Sequence, residues 1–596
     1  MSNEYNVNGL LNNTNDAQGQ ASSPESAASA AAAEMEAFIQ ILTMKLMEEI
    51  PPQVCENAIR REIPVTLSDG IRLAGVAYFP EGPGPWPVIL HRFPYGPSEF
   101  PEHDTAGELF AKRGYVYFTN RCRGTGLSEG RINAFEQETK DGLEVLDFVS
   151  EQEWCDGNIG TYGASYMGHV QWSIAGTKNP ALKTMYIQVF GGHPYSDYYR
   201  NGMLLQDIWQ SWVTGNGGNA RDRSEEEALR LHREAFDILP PAAIGERLLD
   251  DPVEWAQKII TNPEEINDGW QKGFWREYED NAKKLSLPIL LQCGWFDLFC
   301  KSQLESWRSL PAKTREKSLC LVGPWDHYGF TNGVLPYAGQ ERYGVMQIKT
   351  AFMWFDHFLK GKPLKLPVGG METYSIGDDV WKFWPDDIVA ADQMELFLGN
   401  RTLESSVTEN GSFTYTYDPK NPVKSIELGL NRGAVVGPRA GEREPQGVYS
   451  FVSAPLEADV YLAGSLRTEL YVSSKTEATA FTLALFEERT DGNSYVIFND
   501  ITDIRYENDH FVPYTPDTIK KITLKSQDIV WTFKKGNRIR IDVSSSDFPW
   551  YNAHNNTTVI WGKATEAVVT ENTVYFGADT PSKIILPINP GKADEE

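Results

Sequence analysis

Short apolar segments recur between residues 87 and 323 and alternate with segments of helical spacing. Six of them read as strands because each is apolar over nearly its whole length: residues 87–90, 115–118, 159–162, 185–190, 288–296 and 318–323. Near-continuous apolar strands separated by helices are typical of a parallel sheet that is covered on both faces. We therefore predict an α/β core built on a parallel sheet.

This alternation is interrupted between residues 195 and 285, where the chain becomes polar and helical in spacing. The segment carries five tryptophans and stretches such as RSEEEALRLHREAFDIL. The simplest interpretation is a helical cap, residues 195–285, inserted into a catalytic domain formed by residues 51–194 and 286–367.

From residue 368 to residue 596 the apolar period becomes two. Phe481, Leu483 and Leu485 alternate with polar residues, and turn sequences such as TDGNS separate the runs. Many short alternating strands predict an antiparallel β-sandwich of the jelly-roll type.

The first 50 residues have a different character. Residues 1–26 are rich in Asn, Ser and Gln and are predicted to be disordered. Phe38, Leu42 and Leu46 form an apolar stripe at four-residue steps, which predicts an amphipathic helix over residues 27–50. Its apolar face can pack on the body of the protein or on a second subunit, so a homo-oligomer stays open.

Composition narrows the functional class. The formal charge of −27 opposes binding to nucleic acid and to anionic membrane surfaces. The sequence shows neither a secretory signal nor an apolar run long enough to span a membrane, so we expect a cytoplasmic protein. The six cysteines include no CxxC pair and read as reduced thiols, and Cys293 with Cys300 is a poor metal pair because no histidine stands beside them.

The stretch GASYMG, residues 163–168, holds the first candidate for catalysis. A strand precedes Ser165 and a helical pattern follows it, which is the context of a nucleophile elbow at the C-terminal edge of a sheet. Gly168 stands three residues after the serine, not two as in GxSxG. A serine that caps the N-terminus of a helix, with glycines for close packing, accounts for this motif about as well as a nucleophile does.

A serine nucleophile needs a base and an orienting acid. Asp297 follows the strand at 288–296, and His327 follows the strand at 318–323, so both are expected beside the elbow. Asp326 is an alternative acid, but neighbouring residues on a loop tend to point apart, and we favour Asp297.

Six stretches resemble, in order and spacing, the cocaine esterase and Xaa-Pro dipeptidyl-peptidase family of serine hydrolases, which includes α-amino acid ester hydrolases and glutaryl-cephalosporin acylases. They are RFPYG (92–96), RCRGTGLSEG (121–130), EQEWCDGNIGTYGASYMG (151–168), CGWFDLF (293–299), GPWDH (323–327) and DVSSSDFPWYN (542–552). The resemblance covers residues 56–590. It implies an α/β-hydrolase core, an inserted helical cap and a C-terminal jelly roll.

The resemblance also implies roles. Ser165 matches the family nucleophile, Asp297 the acid and His327 the base. Tyr95 matches the tyrosine whose hydroxyl forms the oxyanion hole together with the backbone N–H of the residue after the nucleophile, here Tyr166. No metal or organic cofactor is required by such a mechanism.

Aromatic residues near the acid and base, and in the cap, predict an apolar acyl pocket. The candidates are Trp209, Trp212, Trp295, Phe296, Phe299, Trp325 and Phe330. The family's ammonium-binding carboxylates would stand at Phe299 and Cys300, and Asp197 alone makes a weak site. A carboxylesterase acting on a small-molecule ester is therefore favoured over amide or peptide hydrolysis, and a non-catalytic carbohydrate- or partner-binding protein is the remote alternative.

Overall fold

A computed structural model describes residues 47–95, 101–218, 223–331, 334–339, 342, 347–426 and 433–589. The predicted disordered segment lies outside these residues, as does the predicted N-terminal helix except for residues 47–49, which are helical. Ile50 follows this last turn and is buried against the catalytic domain.

The first part of the chain, up to residue 385, contains fourteen strands in the described residues. They are β1 Ala58–Glu62, β2 Val65–Thr66, β3 Arg72–Leu73, β4 Gly75–Pro80, β5 Trp86–Phe93, β6 Val116–Arg121, β7 Cys155–Ala164, β8 Leu182–Gln188, β9 Tyr199–Arg200, β10 Met203–Leu204, β11 Ile289–Gly294, β12 Leu319–Gly323, β13 Gly370–Ser375 and β14 Val380–Pro385. Ten of these strands form one mixed sheet in the order β1-β4-β6-β5-β7-β8-β11-β12-β13-β14.

The middle of this sheet is parallel, from β6 through β5, β7, β8, β11 and β12 to β13. Strands β8, β11 and β12 are buried along almost their whole length, because helices cover both faces of the sheet. This accounts for the near-continuous apolar runs in the sequence.

Thirteen helices accompany the sheet within the described residues. They are α1 Pro101–Ala111, α2 Glu138–Ser150, α3 Tyr166–Ile174, α4 Pro194–Tyr198, α5 Gln206–Asn216, α6 Glu225–Ala235, α7 Ile244–Leu249, α8 Glu254–Ile260, α9 Asp268–Gln271, α10 Gly273–Lys284, α11 Cys300–Ser309, α12 Ala312–Arg315 and α13 Ile348–Lys360. Helices α4 to α10 lie between β8 and β11 and correspond to the predicted cap.

The core sheet continues beyond the predicted domain boundary at residue 367. Strand β13 pairs in parallel with β12, and β14 closes the edge of the sheet by antiparallel pairing with β13. The boundary therefore falls after Pro385 in the structure. The sequence misled here because Pro363 and the glycines at 369 and 370 resemble a linker, and the sheet that a strand joins is not visible in the strand's own sequence.

The C-terminal part is an all-β domain whose large sheet holds twelve strands in the described residues. Its strands are β15 Asp392–Leu398, β16 Thr402–Glu404, β17 Gly411–Tyr417, β18 Val436–Gly437, β19 Tyr449–Ser453, β20 Val460–Ser474, β21 Ala480–Glu488, β22 Ser494–Asp503, β23 Tyr506–Glu507, β24 His510–Phe511, β25 Lys520–Phe533, β26 Arg538–Ser544, β27 Thr570–Phe576 and β28 Lys583–Asn589. Strands β23 and β24 form a separate small hairpin.

One apolar core runs from the cap through the catalytic domain into the all-β domain, and it includes Trp209, Trp295 and Trp531. The predicted fold class, an α/β core with a helical insertion and a C-terminal all-β domain, is confirmed. Among the residues that the structure describes, no helix has the length and apolar composition needed to cross a bilayer.

Candidate active site

Ser165 sits in a tight turn between β7 and α3. Its φ of 59° and ψ of −128° place a non-glycine residue in the left-handed half of the backbone map, a conformation that costs about 1–3 kcal/mol and is concentrated at functional sites. The backbone N–H of Ser165 donates to Gln188 O at 3.0 Å, which ties the turn to β8. The hydroxyl makes no capping bond to α3, so the N-cap alternative has no support in this geometry.

Two glycines make the turn sterically feasible. A Cβ on Gly163 would meet Met167 Cβ at 2.4 Å, and the φ of 151° at Gly163 is itself one that side chains rarely adopt. A Cβ on Gly168 would meet Phe190 Cβ at 2.8 Å. Gly168 therefore lets α3 pack against the chain after β8, which explains a glycine three residues after the serine.

His327 and Asp297 form a direct contact at the ends of neighbouring strands. His327 Nδ1 lies 2.8 Å from Asp297 Oδ1, and the two residues are only 7% and 1% exposed. Asp297 Oδ1 also accepts a hydrogen bond from the Phe299 amide at 3.3 Å. A carboxylate that accepts from Nδ1–H fixes the tautomer that leaves Nε2 free to take a proton.

The sheet order brings these side chains to one edge. Strands β7, β8, β11 and β12 are consecutive and parallel, and Ser165, Asp297 and His327 follow β7, β11 and β12 respectively. All three therefore lie at the carboxyl end of the sheet, where open α/β sheets bind their ligands.

Asp326, the alternative acid, is used differently. Its Oδ1 accepts hydrogen bonds from the amides of Tyr328 at 2.9 Å and Phe330 at 3.1 Å, and so closes the loop that holds His327. Burial raises the pKa of Asp326 to about 6. Asp326 therefore stabilises its own loop, and Asp297 is the carboxylate that contacts the His327 imidazole.

Tyr95 reaches the serine from the end of β5. Its hydroxyl donates to Ser165 Oγ at 3.4 Å and accepts from the Tyr166 backbone N–H, also at 3.4 Å. Both distances are at the long end for hydrogen bonds, which is common in catalytic sites before the substrate tightens them. Burial raises the pKa of Tyr95 to about 12, so the phenol keeps its proton and remains a donor at neutral pH.

Two of the predicted pocket aromatics lie at this site. The Trp212 ring stacks on Tyr166, with centroids 5.0 Å apart and planes at 23°, and is 6.0 Å from the Tyr95 ring. The Phe299 ring lies 5.5 Å from His327 and 4.6 Å from Phe190. Apolar rings therefore flank the nucleophile on one side and the base on the other.

Three other predicted pocket residues are buried and contact core groups, and their assignment to the pocket stays a prediction. Trp209 donates from Nε1 to Ala256 O inside the cap, and Trp295 donates to Tyr374 O near the all-β domain. Trp325 packs on Trp381, with ring centroids 5.6 Å apart. Each of the three is at most 2% exposed and is a core side chain.

Phe296 and Phe330 lie next to the loops that carry Asp297 and His327. Phe296 lines a small cavity that also touches Asp297 and Asp500 of the all-β domain. Phe330 is half-buried and contributes its backbone amide to the Asp326 turn.

Sequence reasoning missed a buried pair that adjoins the elbow. Arg92 Nη1 lies 2.7 Å from Glu138 Oε2, and the side chains are 2% and 0% exposed. Arg92 was visible only as the first letter of RFPYG, and Glu138 only as an acid in the first turn of a helix, where acids are commonplace.

Cys293 and Cys300 lie with their sulfurs 3.8 Å apart, both fully buried. Within the described part of the chain, no cluster of three or more His, Cys, Asp or Glu side chains is arranged to hold a metal ion.

Two family models match the chain. The model of the X-Pro dipeptidyl-peptidase (S15) family matches residues 69–329, and the model of the X-Pro dipeptidyl-peptidase C-terminal non-catalytic domain matches residues 379–585. The α/β part of the chain is therefore similar to the X-Pro dipeptidyl-peptidase (S15) family, and the all-β part is similar to that family's C-terminal domain. The second match begins inside the connection between β13 and β14, close to where the core sheet ends.

Relatives of this chain are hydrolases, and the predicted class, a serine hydrolase, is confirmed. The chain is 27% identical to a cocaine esterase of Rhodococcus sp. over 572 residues, covering 89% of this chain and 98% of that protein. It is 24% identical over 363 residues to a putative Xaa-Pro dipeptidyl-peptidase of Bacillus anthracis, covering 57% and 54% of the two chains.

A solved α-amino acid ester hydrolase shares the fold of this chain. It superposes with a TM-score of 0.74 at 20% sequence identity and covers 91% of this chain and 98% of its own. At that identity the likeness concerns the architecture alone.

Proposed function

We propose that the protein hydrolyses a carboxylic ester through an acyl-enzyme on Ser165, with His327 as base and Asp297 as the acid that orients it. The observation that supports the proposal is that the Tyr95 hydroxyl lies close to both the Ser165 hydroxyl and the Tyr166 backbone amide. Ser165 Oγ and the Tyr166 backbone nitrogen each lie 3.4 Å from the Tyr95 hydroxyl. A nucleophile beside two convergent donors is the arrangement that acyl transfer requires.

The mechanism follows from this arrangement. Ser165 Oγ attacks the ester carbonyl carbon while its proton moves to His327 Nε2, and the imidazolium that forms is stabilised by Asp297. The carbonyl oxygen becomes an alkoxide that accepts hydrogen bonds from Tyr95 and the Tyr166 amide. His327 then returns the proton to the departing alcohol, and water, activated by the same base, releases the acid from Ser165.

The walls of the site favour an apolar or aromatic acyl group. Phe299 and Phe190 pack together beside His327, and Trp212 covers Tyr166 beside the serine. Rings fixed by such packing present apolar surface with little loss of conformational entropy on binding. The similarity to a cocaine esterase over almost the whole of that protein is in keeping with an ester substrate.

Amide or peptide hydrolysis is the second candidate, because the family model is that of an X-Pro dipeptidyl-peptidase. Such a substrate, like an α-amino acid ester, has a free ammonium that needs a charged carboxylate. The positions two and three after Asp297 are Phe299 and Cys300, which carry no charge. Asp197 is 1% exposed, and burial raises its pKa well above the ordinary value, which disfavours the charged carboxylate that an ammonium anchor needs.

A hydrolysis screen separates the two candidates. p-Nitrophenyl esters of acetic, butyric and benzoic acid are compared with p-nitroanilides of Xaa-Pro dipeptides and of α-amino acids. We expect ester cleavage, fastest for the aromatic acyl group, and its loss in Ser165→Ala. Cleavage of the Xaa-Pro anilides by an enzyme inert to the esters would replace the ester proposal with the peptidase one, and full activity in Ser165→Ala would reject both.

A further inference from the structure

A buried ion pair lies directly behind the proposed oxyanion hole. Arg92 Nη1 and Glu138 Oε2 are 2.7 Å apart, and Arg92 also donates to the Glu138 backbone carbonyl at 3.3 Å. Both side chains are almost wholly out of water. Ion pairs this deep are expensive to desolvate and contribute little net stability, so packing alone does not account for the pair.

The second carboxylate oxygen of Glu138 reaches the residue after the nucleophile. Tyr166 donates its phenolic proton to Glu138 Oε1 at 3.2 Å, and the same phenol oxygen accepts the Phe135 amide at 2.8 Å. With Trp212 stacked on its ring, Tyr166 is fixed at its tip and on one face. Its backbone N–H is one of the two donors of the proposed oxyanion hole.

The ion pair is also linked to the other donor through the backbone. Arg92 is near the end of β5, three residues before Tyr95, whose hydroxyl is the second donor. Glu138 therefore holds the chain that carries Tyr95 with one oxygen and the side chain of Tyr166 with the other. Through these two bonds a single carboxylate connects both sides of the hole.

We propose that Glu138 is a positioning residue that sets the distance between the Tyr95 hydroxyl and the Tyr166 amide. This inference rests on the proposed function. Donors stabilise an oxyanion only when they are aimed at the place where charge develops, and a shift of about 1 Å in a catalytic group can cost about 100-fold in rate. A buried, hydrogen-bonded carboxylate fixed by an arginine is stiff enough to hold such a geometry.

The cleanest test is Tyr166→Phe, which removes the hydrogen bonds of the phenol with Glu138 and with the Phe135 amide and leaves both the ion pair and the Tyr166 backbone amide in place. We expect kcat for the best ester to fall about tenfold with KM changed less than about twofold, since the defect appears in the transition state. An aryl trifluoromethyl ketone, whose carbonyl carbon bonds to Ser165 Oγ and whose oxygen becomes the oxyanion, should bind about tenfold more weakly. Binding of the carboxylate product should hardly change.

Tyr199→Phe is the matched control. Tyr199 is buried, and its hydroxyl donates to Ile259 O at 3.0 Å within the cap. The control loses one buried tyrosine hydroxyl as Tyr166→Phe does, but it should leave the ratio of ketone to product affinity at the wild-type value. Equal weakening of ketone and product in Tyr166→Phe, or no weakening of either, would overturn the proposal.

Glu138→Gln provides the larger perturbation, because it keeps the shape and removes the charge that faces Arg92. We expect a loss of about 100-fold in kcat and a similar weakening of the ketone. If this variant does not fold, the comparison of Tyr166→Phe with Tyr199→Phe still tests the proposal. Failure here is distinguishable from failure of the proposed function, since the latter would appear as activity surviving in Ser165→Ala.

Discussion

The loops after β11 and β12 each place one buried aspartate close to His327, and the two carboxylates serve different ends. Asp297 meets the imidazole at 2.8 Å, whereas Asp326 accepts two backbone amides of its own loop. Asp326 is the neighbour of His327 in sequence, and Asp297 is its partner in space. Adjacent strands of a parallel sheet thus bring together groups that a single loop keeps apart.

The aromatic residues of these loops differ in the same way. Phe299 follows Asp297 by two positions and faces His327 and Phe190. Trp325 precedes His327 by two positions and is buried against Trp381 in the core. Each loop therefore divides its residues between the site and the core, and proximity in sequence to a catalytic residue does not decide which.

Asp297→Asn should have the largest effect. Asparagine can occupy the same space but presents an uncharged group to His327 Nδ1, which loses the favoured tautomer and the stabilisation of the imidazolium. We expect kcat to fall about 10⁴-fold with little change in KM. Steady-state kinetics on the best ester measures it, and a loss below about tenfold would mean that Asp297 is not the orienting acid.

Asp326→Asn is the matched substitution on the other loop. The amide oxygen can keep both backbone hydrogen bonds, so kcat/KM at pH 8 should stay within about threefold of the wild-type value. A loss comparable to that of Asp297→Asn would reverse the assignment of the two carboxylates.

The stability of Asp326→Asn should also depend on pH differently from that of the wild type. Burial raises the pKa of Asp326 to about 6, above its value in the unfolded chain, so the folded protein binds the extra proton between about pH 4 and pH 6. The contribution of the Asp326 carboxyl to the free energy of unfolding is about 3 kcal/mol more favourable at pH 4 than at pH 7, and this advantage is lost as the pH rises through 6. Asp326→Asn should lack this loss, so its stability relative to wild type should rise by that amount from pH 4 to pH 7.

Urea unfolding followed by tryptophan fluorescence at the two pH values measures this difference. A difference between variant and wild type that is the same at pH 4 and pH 7 would show that Asp326 does not titrate in this window.

Phe299→Leu tests the aromatic contrast and should have a much smaller effect than Asp297→Asn. Leucine keeps the wall apolar but removes the ring beside His327, and we expect kcat/KM for a benzoyl ester to fall about tenfold while that for a butyryl ester changes little. Trp325→Phe, in the core, should lower the unfolding midpoint and leave the ratio of the two esters unchanged. Equal effects of Phe299→Leu on both esters would remove Phe299 from the acyl pocket.

The sequence predicted the fold class and the placement of Ser165, Asp297 and His327 at one sheet edge, since strands, their ends and their order are local signals. It did not predict that Trp295 and Trp325 turn inward, because the direction of a side chain in an irregular loop depends on packing that no local pattern encodes. Nor did it predict that β13 and β14 extend the core sheet, since pairing partners are not visible in a period of two. Glu138 was missed because its importance comes from contacts with distant residues.

The most direct test of the central claim is to trap the nucleophile. The folded protein is treated with a fluorophosphonate, digested and mapped by mass spectrometry, beside Ser165→Ala and Asp297→Asn. We predict one adduct, on the peptide that contains Ser165, with labelling abolished in Ser165→Ala and strongly slowed in Asp297→Asn. An adduct on another residue, or unchanged labelling of Ser165→Ala, would contradict the account.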